Sequence, residues 1–370
     1  MGSRDRWARP ITRAMAVTSF LRHMVEAGAS DLHMKAGLPP VLRIDGVLQH
    51  AQFEPLTSAD CEAAAMELLP PAKAQEFRET NESDIGYTLP GVGRFRVNVF
   101  RQRGNVNLAI RRVRNDIPTF DELNLPAAVG GLAREQRGLI LVTGPAGTGK
   151  TTTIAAMIGW INANRRTHIV TVEDPIEIVH EDLLSIVDQR EIGADTATYR
   201  SALRHIVRQD PDVIFIGEIR DTETVEAAIQ AAETGHLVIA TLHTLDATET
   251  VNRIIDLFPP EMQRQVRISL AASLRGVISQ RLAPRADGKG RVPAVEVLVN
   301  TGRVKERILD PEQTNTIPDV MIEGEFYGMQ TFDQALVGLV REGLVSPDDA
   351  SDAASNPHDF LLALKAAQLV

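Results

Sequence analysis

Residues Gly144-Pro145-Ala146-Gly147-Thr148-Gly149-Lys150-Thr151 fit G-x-x-x-x-G-K-[ST], the pattern of a phosphate cradle. Glycines let backbone N–H groups curl around a β-phosphate, and a helix opening at the end of the run adds partial positive charge. Lys150 can then bridge β- and γ-phosphates, and the Thr151 hydroxyl, with Thr152 beside it, can hold Mg²⁺. The bland alternative is a glycine-rich turn between strand and helix. Context favours the cradle, because the apolar LILVT (139–143) leads straight into the run and TTTIAAMIGWINAN leads out of it as a helix. ATP and Mg²⁺ are the expected ligands.

Three further polar clusters follow apolar runs. Glu173-Asp174-Pro175-Ile176-Glu177 comes after HIVTV (168–172), Glu218 after DVIFIG (212–217), and His243 after HLVIATL (236–242). In an open parallel sheet, ligands bind beyond the carboxyl ends of the strands, so these groups are expected to converge on a nucleotide held by the glycine-rich loop. Glu218 can orient and deprotonate the attacking water, the acceptor that phosphoryl transfer to water needs. Its alternative is a helix N-cap or a surface ion pair. DVIFIGEIRD ends in one carboxylate where a nucleotide-hydrolysing motor often carries two. Gly217 therefore leaves the metal to Thr151, phosphate and water, with Glu173, Asp174 and Glu177 near enough for water-mediated contacts. That acidic run could also hold an Arg or Lys across a subunit boundary, or be a charged turn fixed by Pro175. His236 and His243 flank one strand at opposite ends. His243 is the expected γ-phosphate sensor; His236 is a second sensor candidate or a structural or inter-subunit contact.

No arginine after Glu218 is placed so that it must reach the γ-phosphate of its own chain, yet such hydrolysis gains greatly from an arginine in cis or in trans. The candidates are in RFRVNVFRQR and LAIRRVR, where Arg96 and Arg111 fall on neighbouring predicted strands. Their alternative is a solvated strand face.

These groups need elements to position them. Residues 17–113 pattern as a small α+β unit: an apolar helix near 17–28, DLHMKAG and VLRIDG, helical runs near 58–80, and alternating strands near 83–89, 94–101 and 106–113. Asp45-Gly46 is a hairpin-turn signal. Arg111, Arg112 and Arg114 close the unit, and residues 114–124 are a linker by composition, with Pro118 in it and Pro126 just beyond. From 125 to 300 short Val/Ile/Leu runs alternate with helix-length segments, the pattern of a parallel sheet covered on both faces. Residues 301–370 are mostly helical, GMQTFDQALVGLVREGLV being the clearest amphipathic stretch. The arginine-rich residues 1–16 form a basic tail, expected to be disordered.

Composition narrows the class. With 370 residues, 44% hydrophobic and 24% charged, the chain suits two globular domains and excludes disordered and fibrous classes. No apolar run approaches the roughly 18 residues of a membrane span, and Arg22 and His23 interrupt the segment a signal peptide would need, so a cytoplasmic location is expected. The one cysteine, Cys61, can build neither an internal disulfide nor a thiolate zinc site. A net charge of −10 argues against a stable nucleic-acid partner.

Together GPAGTGKT, TVEDPIEIVH, RQDPDVIFIGEIRDTET and AAETGHLVIATLHT resemble the Walker A, Asp box, Walker B and His box of the secretion ATPases that power type IV pili and type II secretion. Upstream, GASDLHMKAGLPPVLRIDG and GVGRFRVNVF look like the PAS-like N-terminal domain of the pilus retraction (twitching-motility, PilT-type) subgroup. The resemblance spans about residues 17–345. It implies an α/β, RecA-like phosphate-loop NTPase core with a smaller PAS-like α+β domain in front and a helical region behind. It further implies a homo-hexameric ring in which a neighbour's N-terminal domain closes over each ATP. Glu218 would be the catalytic glutamate, and Arg96 and Arg111 would stand where arginines reach the phosphates. An inner-membrane platform protein met at the cytoplasmic face is the implied partner. Assembly ATPases of this superfamily usually carry an extra N-terminal domain and a four-cysteine zinc motif, so retraction without zinc is the expectation. The departure is residues 303–327, where RVKERILDPEQTNTIPDVMIEGEFY replaces an Ala-Ile-Arg-rich helix. The main motor, an accessory paralogue and an assembly-type ATPase are open alternatives, as are a DNA or polypeptide translocase and an ATP-dependent ring scaffold with little turnover.

Overall fold

The computed structural model describes residues 16–44, 46–113 and 116–370. The basic tail apart from Ala16, the turn residue Asp45, and Arg114 lie outside the described residues. The chain divides into two units, with Pro175–Val179 joining the N-terminal one.

In the N-terminal unit, α1 (Val17–Glu26) buries Val17, Phe20, Leu21 and Met24, the spacing of one helical face. Then come β1 (Asp31–Met34), β2 (Val41–Ile44), β3 (Val47–His50), α2 (Ser58–Leu68), α3 (Pro71–Thr80), β4 (Glu82–Leu89), β5 (Gly93–Gln102) and β6 (Asn105–Arg112). The helical run near 58–80 is two helices. Thr57 and Asp60 close a capping box at the start of α2, whereas Pro70 and Pro71 reset the chain between α2 and α3. The six strands form one sheet in the order β3-β2-β1-β6-β5-β4, antiparallel throughout. Ile44 pairs with Val47 around Gly46, whose φ of 81° suits a tight hairpin. On β5 the alternation sends Phe95, Val97 and Val99 into the core and leaves Arg94, Arg96 and Asn98 on the opposite face. Cys61, on the buried face of α2, has its thiol pKa raised by burial to about 11, which suits a packing residue rather than a nucleophile.

The second unit runs α4 (Ala127–Ala133), β7 (Gly138–Thr143), α5 (Lys150–Asn164), β8 (His168–Glu173), β9 (Ile186–Glu191), α6 (Tyr199–Ile206), β10 (Val213–Ile216), α7 (Thr222–Glu233), β11 (Leu237–Leu242), α8 (Ala247–Asp256), α9 (Pro260–Ser273), β12 (Leu274–Pro284) and β13 (Arg291–Val299). Helices α10 (Gly302–Leu309), α11 (Ile317–Ile322), α12 (Phe332–Arg341), α13 (Pro347–Ala353) and α14 (Pro357–Ala366) follow. The sheet order is β13-β12-β7-β11-β10-β8-β9. Strands β7, β10 and β11 are buried at every position, as a parallel sheet covered on both faces requires. The sheet is not wholly parallel: β13 pairs antiparallel with β12 at one edge. It is also wider than the apolar runs indicate. Strand β12 continues straight out of α9 with no turn residue between them, and the edge strand β9 exposes Ile186 and Asp188.

Residues 116–124 pack on this unit, with Phe120 and Leu123 half-buried against a core cluster. The unusual segment 303–327 is packed as well: Val304, Ile308, Ile317, Val320 and Met321 are buried in the main core. Phe326 at its end is 92% exposed. Among the described residues no helix is long and apolar enough to cross a membrane.

Candidate active site at the ends of the parallel strands

The glycine-rich loop leaves β7 and closes at the start of α5. Gly144, Gly147 and Gly149 have φ of 138°, 80° and 93°, a region that side chains disfavour. At Gly144 space is decisive too, since a Cβ would come within 2.5 Å of the Gln280 carbonyl oxygen and 2.8 Å of Thr148 Oγ1. Gly149 is the N-cap of α5, which leaves the first-turn N–H groups of Lys150, Thr151 and Thr152 facing the loop. Pro145, Ala146 and Gly147 are exposed at the rim. Lys150 is only 9% exposed, and its ammonium donates to the carbonyls of Gly144 (2.6 Å) and Pro145 (2.9 Å). The base of the loop is braced by β12: Thr143 Oγ1 donates to Ser279 Oγ at 2.9 Å, and Gln280 Nε2 donates to Thr153 Oγ1 at 2.8 Å.

Strands β7, β11 and β10 are parallel neighbours, so their carboxyl ends bring Lys150, His243 and Glu218 together. Lys150 Nζ is 3.5 Å from His243 Nδ1, and His243 Nε2 is 3.1 Å from Glu218 Oε1. An ammonium can only donate and a carboxylate only accept. A neutral imidazole with its proton on Nε2 satisfies both contacts. The other oxygen of Glu218 accepts from Arg220, at 2.7 Å from Nε and 2.6 Å from the terminal nitrogen. Glu218 is thus aimed from both sides.

Gly217 is glycine for a steric reason. A Cβ there would sit 2.7 Å from Tyr199 Oη, 3.1 Å from the Val172 carbonyl oxygen and 3.3 Å from Glu173 Cα. The backbone is held in that position, Gly217 N–H donating to Val172 O at 2.8 Å and Thr241 Oγ1 donating to Gly217 O. A second acid next to Glu218 has no room.

The acidic run after β8 separates. Glu173 is buried and accepts from Thr171 Oγ1 at 2.7 Å and Gln189 Nε2 at 3.1 Å, so β9 supplies part of its support. Asp174 lies near enough to act electrostatically on both Tyr199 and Arg220. Glu177 belongs to the N-terminal unit, where it pairs with Arg96 at 3.1 Å.

The profile of the family described as "Type II/IV secretion system protein" matches residues 7–330. The chain belongs to that family. It is 41% identical over 346 residues to the type IV pilus retraction ATPase PilT of Pseudomonas aeruginosa, covering 94% of this chain and all of the relative (100%). To the type IV pilus ATPase PilU of the same organism it is 40% identical over 351 residues, covering 95% of this chain and 92% of that one. The crystal structure of the pilus retraction motor PilT with bound ADP matches with a TM-score of 0.85 at 45% identity, over 94% of this chain and 99% of that chain. The α/β, RecA-like secretion-ATPase architecture read from the motifs is the architecture of this family member.

The remaining candidates are distributed as follows. Across the N-terminal sheet Arg43, Asp31, Arg111 and Arg96 stand directly opposite one another on β2, β1, β6 and β5. Arg111 Nε donates to Asp31 Oδ1 at 2.8 Å, with Arg43 at 3.8 Å from the same carboxyl. Burial pushes that carboxyl up, but hydrogen bonds from Arg111 and Ser30 and the charge of Arg111 outweigh it and hold Asp31 below its usual range. His236 is at the far end of β11 from His243. Its Nδ1 lies 2.9 Å from the Ala231 carbonyl and 3.2 Å from Thr234 Oγ1, a helix-terminus role distant from the glycine-rich loop. Sequence reasoning missed Arg220, Tyr199, Thr241, Gln189 and Gln280. Arg220, two residues past Glu218, and Thr241, two residues before His243, were within reach of the quoted motifs; Tyr199, Gln189 and Gln280 come from other elements.

Proposed function

We propose that this chain is an ATP-hydrolysing motor that works as a homo-hexameric ring at the cytoplasmic face of the inner membrane and drives type IV pilus retraction through a platform protein there. The observation that carries the reading is the hydrogen-bonded row from Lys150 through His243 to Glu218 at the carboxyl ends of adjacent parallel strands. Relatives named for pilus retraction supply the physiological context.

In this reading the α/β core over 125–300 holds ATP, and the PAS-like domain over 17–113 carries the arginines. Loop N–H groups from Gly144 to Thr152 and the Lys150 ammonium take the phosphates. The Thr151 hydroxyl, in the first turn of α5, is the oxygen that would hold Mg²⁺, a hard cation that prefers oxygen ligands, and Gly217 adds no carboxylate beside it. Mg²⁺ held there would supply positive charge against that of the bound phosphates. Glu218 accepts the proton of the attacking water while Arg220 and His243 fix the directions of its two oxygens. His243, shared between Lys150 and Glu218, senses loss of the γ-phosphate. Arg96 and Arg111 of a neighbour stabilise the charge of the transferring phosphoryl group, for which Arg96 exchanges Glu177 for phosphate.

Glu218→Gln keeps the size and contacts of the side chain but removes the base. Nucleotide affinity, read by titration with a fluorescent ATP analogue, is expected to stay near wild type while steady-state turnover falls by at least about 10²-fold. Unimpaired hydrolysis in this variant sinks the assignment.

A further inference from the structure

The space beside Gly217 is taken by a side chain from another element. Tyr199 opens α6, whose start is fixed by Thr198 accepting from the Ser201 N–H at 3.1 Å. Its half-buried ring packs against the main core, so the hydroxyl is delivered to one place. That place is 2.7 Å from where a position-217 Cβ would be. Around it lie the carboxylates of Asp174, Glu218 and Glu173 and the guanidinium of Arg220, all close enough to act on the hydroxyl. Burial, and then these carboxylates, hold the phenol well above its ordinary ionisation range, with Arg220 offsetting only part of the effect. Tyr199 therefore keeps its proton at neutral pH and faces acceptors as a neutral donor. A phenylalanine would fill the same part of the core, so the hydroxyl is not needed for packing.

We propose that the Tyr199 hydroxyl is a positioning group of the hydrolytic site, occupying the space that a side chain at 217 would take and placed to donate its one hydrogen bond to the Glu218 carboxylate. The inference rests on Glu218 being the water-activating base. Both oxygens of Glu218 are already shared with His243 and Arg220, two side chains at least half exposed and free to turn toward phosphate. Tyr199 is anchored by its helix and core contacts and stays when they move. It transfers no proton: the water proton goes to Glu218, and the phenol only donates a hydrogen bond that keeps the carboxylate aimed.

The test is Tyr199→Phe in the full chain, assayed beside wild type and Glu218→Gln. Loss of one hydrogen bond to a charged group predicts a fall in kcat of about tenfold. KM for ATP is expected to stay within about twofold, because the ground-state phosphate contacts are untouched. The melting temperature is expected to hold within about 1 °C, since the ring remains. A kcat within about twofold of wild type overturns the proposal. So does a kcat loss that comes with a matching fall in melting temperature, which marks Tyr199 as a packing residue. If Glu218→Gln itself turns over normally, the underlying assignment of the base has failed, a result distinct from either outcome for Tyr199.

Discussion

Position 217 is crowded for any side chain because three neighbours meet there, the Tyr199 hydroxyl, the Val172 carbonyl and the Glu173 backbone. Gly217→Ala must push them apart, and an overpacked site of this kind costs about 1–3 kcal/mol. Denaturant titration is expected to show that loss in the wild-type background and a smaller one in Tyr199→Phe, where the nearest clashing atom is gone. Equal losses in the two backgrounds would show that Oη is not the obstacle. In the sequence, Gly217-Glu218 reads as a motor site lacking one acid. The place of Glu218 at the carboxyl end of β10 was legible there because it directly follows a buried apolar strand. Tyr199 was not, since it opens a different helix and has no motif of its own. Arg220 follows Glu218 so closely that its contact depends on the local backbone path rather than on any spacing rule.

Among the elements, the turn from β7 into α5 was fully readable, because positive φ at three positions and a helix N-terminus demand glycines in a fixed order. Strands β9 and β12 were not. The first is a half-exposed edge and the second runs on from a helix with no break before it, so neither stands out as an apolar run bounded on both sides, although β12 braces the loop through Ser279 and Gln280. The placement of Arg96 and Arg111 on neighbouring strands was legible from alternation; their direct pairing and their carboxylate partners were not, because register is set by the fold and Asp31 and Glu177 come from distant parts of the chain. The Arg96–Glu177 pair is about half exposed, at 40% and 45%, so breaking it costs under about 1 kcal/mol. Glu177→Gln is therefore expected to melt like wild type and to hydrolyse ATP at least as fast. Arg96→Ala, by contrast, is expected to lose at least about 10²-fold in turnover. Identical activity in the two variants would reduce the pair to a surface ion pair.

For the whole molecule, stability depends on Glu296, a buried β13 carboxyl that accepts from the Ala247 N–H at 2.8 Å, at the start of α8. Burial, partly countered by that N–H and by Arg281 and reinforced by Asp246, raises its pKa to about 7. With the folded pKa above the unfolded value, the native state binds the extra proton, so stability falls as pH rises from the ordinary Glu range through about 7. Glu296→Gln, which keeps an oxygen for Ala247, is expected to be more stable than wild type at pH 8 by as much as ~3 kcal/mol and indistinguishable near pH 4. A difference that does not change with pH would contradict this. The central claim, that turnover at Glu218 drives pilus retraction, is tested most directly by deleting the gene, complementing with wild type or Glu218→Gln, and counting surface pili. The deletion and the Glu218→Gln strain are expected to be hyperpiliated and unable to twitch, with wild type restoring both. Loss of pili in the deletion strain, or full rescue by Glu218→Gln, would contradict it.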